Sequence, residues 1–159
     1  MTAQAARMPI GESSGGRIFT TILLSGLASE IVWEVWARVL TPLWVGGPLE
    51  PAALVQSVFG LSSRFAAEII HFMVGLLAYP FGYIFIALPI AHTLVPFLPW
   101  WIVALGYGVG LWIFALYVMA HLVAGLPAFL AWHLIAWASL GGHLLFALAG
   151  AAVVKARHG

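Results

Sequence analysis

Four long apolar stretches, separated by short segments rich in Pro and Gly, organise this chain. A membrane-crossing helix needs roughly 20 consecutive apolar residues at about 1.5 Å of rise each. The first stretch covers residues 18–40 and stops at Thr41-Pro42. Residues 41–61 contain Gly46-Gly47-Pro48 and Pro51 and read as a loop, with a short interfacial helix over residues 52–59. The second stretch covers residues 63–88, is kinked at Pro80 and is ended by Pro89. Pro96 and Pro99 close a tight turn before Trp100-Trp101 open the third stretch, residues 100–123. After Gly125-Leu126-Pro127 the fourth covers residues 128–154. A polar leader, residues 1–17, and a short basic tail, residues 155–159, flank a single transmembrane domain over residues 18–154. In the first stretch the apolar run continues through Trp33, Val35, Trp36, Val39 and Leu40, further than a cleaved signal peptide requires.

The expected fold is all-α: an integral membrane four-helix bundle with antiparallel up-down topology, because connections this short join neighbouring helices. An even number of crossings puts both termini on one side. Arg7, Arg17, Lys155 and Arg157 mark that side, against Arg38 and Arg64 beside the first loop, so the excess of positive charge assigns the termini to the cytoplasm.

Polar positions inside the stretches follow helical faces. Gly26, Glu30, Glu34 and Arg38 recur every fourth residue, and Arg64, Glu68, His71, Gly75, Ala78 and Gly82 share one face of the second helix. Both stripes run into small residues, which mark helix contacts in membranes, so both should face the bundle interior. Gly106 and Gly110 supply a Gly-x-x-x-Gly surface on the third helix, for an internal or a dimer contact. Counted from the outer helix ends, Glu34, Glu68 and His71 lie roughly 8–12 Å deep, Glu30 roughly 16 Å and His143 roughly 22 Å. His133 belongs to the outer part of the fourth helix.

Glu30 is the costly residue. A carboxylate at membrane depth is expensive unless it is protonated, paired or hydrated. Its nearest charged neighbour along the helix is another acid, Glu34, so it carries a proton or meets a cation from another helix. Glu34 with Arg38, and Arg64 with Glu68, are spaced as rim ion pairs. Glu68-Ile69-Ile70-His71 matches the Glu-x-x-His spacing of carboxylate-bridged di-metal bundles, though no second copy occurs. A single metal ion held by Glu34, Glu68, His71 and His133 is the alternative metal site. For haem b the helical ruler separates His71 from His143 by roughly 10 Å and favours His71 with His133.

Composition narrows the chemistry. Of 159 residues 64% are hydrophobic and 7% charged, where an ordinary soluble domain carries about 25% charged residues. Six Lys plus Arg and a net charge of +1 give no basic face for nucleic acid. Without cysteine there is no disulfide, thiolate nucleophile, zinc ribbon or c-type haem attachment, and redox chemistry would need a cofactor held by His or carboxylate. No Gly-rich phosphate loop, Ser-His-Asp arrangement or His-Glu-x-x-His helix is present, so no catalytic residues are assigned. The leading expectation is binding or transport of a proton, a metal cation or a small ligand by Glu30, Glu34, Glu68, His71, His133 and His143. The alternatives are an accessory or scaffold subunit of a larger membrane complex, a homo-oligomer, and a haem b electron carrier.

The two halves echo one another. His71-Phe72-Met73-Val74-Gly75 and His143-Leu144-Leu145-Phe146-Ala147 each open a small-residue face, as in two-helix repeats of transporters. The His-Phe-x-x-Gly pattern with its following Tyr and Pro, and the His before small residues in the fourth helix, resembles bacterial four-helix inner-membrane proteins of the YagU-like type. The likeness covers His71 to Pro89 and His143 to Gly150. It implies the same fold and a cytoplasmic-membrane location, and it brings no activity with it.

Overall fold

Four helices long and apolar enough to cross a membrane account for most of residues 14–158, which the computed structural model describes. They are α1 (Gly15–Val45), α3 (Arg64–Leu94), α4 (Trp100–Val123) and α5 (Leu134–His158), with the short α2 (Pro51–Phe59) between the first two. No strand occurs among the described residues. The expected leader, residues 1–17, lies mostly outside them.

Two helices outrun their expected ends because proline widens them instead of stopping them. Wide π-type turns occupy Trp36–Leu40, Val74–Ala78 and Tyr83–Ala87, each ending two residues before Pro42, Pro80 or Pro89. Proline has no N–H and crowds the carbonyl four residues back, and one extra residue in the turn relieves that clash. In α1 the Thr41 N–H therefore reaches the Trp36 carbonyl at 2.9 Å. The Ala37 carbonyl, left without a helical partner, takes the N–H of Leu49 at 3.1 Å. This bond folds the following loop back over α1 and brings Glu50 toward the polar stripes.

The pair α1 and α5 is fixed by contacts that step in opposite directions. Along α1 and α5, Ser25 Oγ donates to the Gly150 carbonyl (3.0 Å), Ser29 Oγ to Phe146 (2.9 Å) and Trp36 Nε1 to Ala138 (2.8 Å). A side chain at Gly150 would collide with both serine hydroxyls, which is why this crossing needs glycine. At the terminal end Thr21 Oγ1 gives its only proton to the Arg17 carbonyl (2.8 Å). It therefore accepts from Arg157 Nε (2.9 Å) and His158 Nε2 (2.8 Å), tying the end of α5 to α1. On the other flank Gly26 lies against the Leu76 backbone of α3.

On the third helix the internal alternative for Gly106 and Gly110 is not met, and the dimer alternative is untouched. Gly106 and Gly110 are exposed with nothing near them, and the glycine that packs is Gly108, against the His143 carbonyl and Ala147 of α5. The fourth helix corrects an expectation: it starts at Leu134, not at residue 128. Phe129, Leu130, Ala131 and Trp132 all have positive φ, between 48° and 61°, and form a left-handed turn. Phe129 stacks there on Trp132 (4.7 Å between ring centres) and packs beside Trp112 (4.8 Å).

Candidate functional site

Glu30 projects from the middle of α1 toward α3 and is 3% exposed. Gly75 makes room for it: a β-carbon there would collide with the carboxylate oxygen, and the Phe146 ring closes the same space from α5. Neither oxygen of Glu30 has a hydrogen-bond partner, and the indole N–H of Trp33, three residues on, is likewise buried and unpartnered. An unpartnered buried polar group costs about 1–3 kcal/mol, and more when it is charged.

From Glu30 a cleft of about 40 Å³ leads to the loop end of the bundle, lined by Glu34, Arg38, Glu50, Arg64, Glu68 and His71. Four of the chain's five acidic residues thus share one cavity. Three of them are tied up at the rim. Arg38 Nε pairs with Glu34, and Arg64 bonds Glu68 through Nε (3.1 Å) and Glu50 through Nη2 (3.2 Å). These groups are about half exposed, so each pair contributes little to stability. Glu50 was not among the expected site residues. It follows Gly46-Gly47-Pro48, and the Leu49 to Ala37 bond together with its own pair to Arg64 puts it here.

The histidines fall differently from the expectation. His71 and His143 both pack on Trp33, with ring centres 5.7 and 5.1 Å from it. The ruler had separated them because it began α5 six residues too early, an error worth roughly 9 Å of rise. His143 is 6% exposed, and its Nδ1 lies 2.7 Å from the Ser139 carbonyl. A carbonyl only accepts, so Nδ1 carries the proton and Nε2 is left as an acceptor. His133 does not join the site. It is exposed ahead of α5, where its carbonyl accepts the Ala136 N–H at 2.8 Å.

That placement does not bring the expected metal ligands together. Among the described residues no three His, Asp or Glu side chains converge to hold an ion. Glu34 and Glu68 point to arginines, and His133 lies at the exposed end of another helix. The pairing of His71 with His133 fails for the same reason. His121 has a local role, its Nδ1 bonding the Leu126 carbonyl (2.8 Å) at the end of α4. Comparison with protein-family models, curated proteins and solved structures finds no match for this chain.

Proposed function

We propose that this is a bilayer-embedded binding protein whose ligand is a proton, held by Glu30 and exchanged with water through the cleft of Glu34, Glu50 and Glu68. The observation that carries this reading is a carboxyl 3% exposed, with neither oxygen bonded, at the end of a polar cleft. A buried acid bonded on all sides would be a structural lock; one left open is equipped to gain and lose a proton. The cleft exceeds the roughly 10–15 Å³ that one water needs, which gives water room to enter it on the way to the acid. Its rim carries three acids against two arginines, a balance that favours entry of positive charge.

In this reading the bundle is up-down, a topology supported by the opposed steps between α1 and α5. Arg17, Lys155 and Arg157 hold the termini in the cytoplasm. The bacterial inner membrane is assigned from the YagU-like pattern at His71 to Pro89 and His143 to Gly150. An accessory role within a larger complex draws its support from Gly106 and Gly110, a small-residue face with no partner inside the bundle.

Infrared difference spectroscopy on protein reconstituted in lipid tests the proton reading. The expected result is a protonated-carboxyl C=O band that changes when the pH at the cleft side is stepped. It should vanish in Glu30→Gln, while thermal unfolding stays within about 1 kcal/mol of wild type. A band that survives in Glu30→Gln, or no such band in the wild type, would remove Glu30 as the proton site.

A further inference from the structure

Beside the Glu30 cleft lies a second cavity of about 470 Å³, within the usual range of small-molecule pockets, about 300–1,000 Å³. Leu54 and Val58 of α2 line it, with Ile70 and Val74 of α3, and Phe114 and Met119 of α4. Against this apolar wall stand a few polar groups: His71, Tyr79, Ser139 and His143. Phe59, Ala78 and Phe114 line the cavity and remain exposed, so its wall opens through the side of the bundle, where lipid would lie.

Its chemistry restricts the occupant. No Lys or Arg lines the cavity, and its one carboxylate, Glu50, is already bonded to Arg64. No permanently charged group there would neutralise the propionates of haem, a phospholipid phosphate or a fatty-acid carboxylate, and a desolvated anion without a charged partner is costly. A neutral ligand dissolved in the bilayer meets no such penalty. What the cavity does offer is hydrogen bonding at one place. Nε2 of His143 is an acceptor on a buried ring, because Nδ1 is committed to Ser139. His71 packs on the same Trp33 ring, lines the same cavity, and is engaged by no hydrogen bond from the described residues. Two imidazoles on one indole present two bonding groups beside an aromatic surface, which suits a ring with two hydroxyls.

We propose that this cavity binds a neutral, membrane-dissolved hydroquinone, with one hydroxyl donating to Nε2 of His143, the other meeting His71, and the tail lying along α2 and α3 toward the lipid. Binding alone is proposed; no electron transfer is required of the protein. The cavity adjoins the Glu30 cleft and shares His71 and Glu50 with it, but its test does not depend on Glu30.

The probe is a benzohydroquinone with a decyl tail, kept reduced without oxygen and titrated into protein in lipid nanodiscs, with Trp fluorescence as the readout. Its di-O-methyl ether has the same ring and tail but no donor, and serves as the matched control. Saturable quenching by the hydroquinone is expected, with at least about tenfold weaker binding of the ether and at least about tenfold weaker hydroquinone binding by His143→Leu. Ala115→Trp, which places bulk in the cavity wall, should abolish binding. If His143→Leu does not fold, the comparison of hydroquinone with ether in wild-type protein decides alone. Equal affinity for the two, equally tight binding of decanol, absence of saturable binding, or a Soret band in the purified protein would each overturn the proposal.

Discussion

Glu30 and Gly75 are one feature seen from two helices. The carboxyl fits because the residue opposite has no side chain, and a β-carbon at position 75 would occupy the space of an oxygen. Gly75→Ala must therefore push Glu30 aside or separate α1 from α3. A loss of about 1–3 kcal/mol is expected, the usual cost of overpacking. Gly106→Ala has open space around it and should stay within about 0.5 kcal/mol. Equilibrium unfolding in mixed micelles compares the two, and equal effects would mean that Glu30 does not pack on Gly75. The direction of Glu30 was legible in the sequence, because Gly26 and Glu30 share a stripe and Gly75 continues the stripe of Glu68 and His71. Its lack of a partner was not. Whether a buried acid is bonded depends on what three other helices place around it, and spacing along one helix is silent on that.

At the scale of elements, the pattern of apolar residues found every membrane-length helix and erred at the ends. Proline signals a break in sequence, yet Pro42 and Pro89, read as helix ends, sit in helices that continue by widening a turn, just as α3 does at Pro80, where a kink was expected inside the helix. The opposite error occurred at residues 128–132, where an apolar run read as helix turns left-handed instead. Periodicity cannot report handedness; the turn is held by the Phe129, Trp132 and Trp112 rings that crowd around it. That error moved the origin of α5 and hid the packing of both His71 and His143 on Trp33. A left-handed residue with a β-carbon costs roughly 1–2 kcal/mol, and Ala131, exposed with φ of 54°, gains little packing in return. Ala131→Gly should accordingly stabilise the protein by about 1 kcal/mol after the added freedom of the unfolded chain is counted. The same exchange at Ala138, fully buried in α5, should destabilise it. A fall in thermal stability for Ala131→Gly would show that the turn is not left-handed in the membrane.

The direction of the whole molecule decides which compartment the Glu30 cleft meets. Arg17, Lys155 and Arg157 gather at the terminal end, where Thr21 binds α1 to α5, while Arg38 and Arg64 flank the cleft. The two cleft arginines are paired with acids, but topology follows Lys and Arg and takes little account of Asp and Glu, so with Arg7 of the leader the margin is four against two. Because the chain has no cysteine, single cysteines report sidedness without any prior substitution. Ser57 on α2 and Ala156 near the end of α5 are both exposed and lie at opposite ends of the bundle. In intact cells a membrane-impermeant maleimide should label Ser57→Cys at once and Ala156→Cys only after lysis. The reverse pattern would turn the bundle over and open the Glu30 cleft to the cytoplasm. The hydroquinone cavity would still open to lipid through the gap beneath α2, because its access lies along the side of the bundle and not at either end.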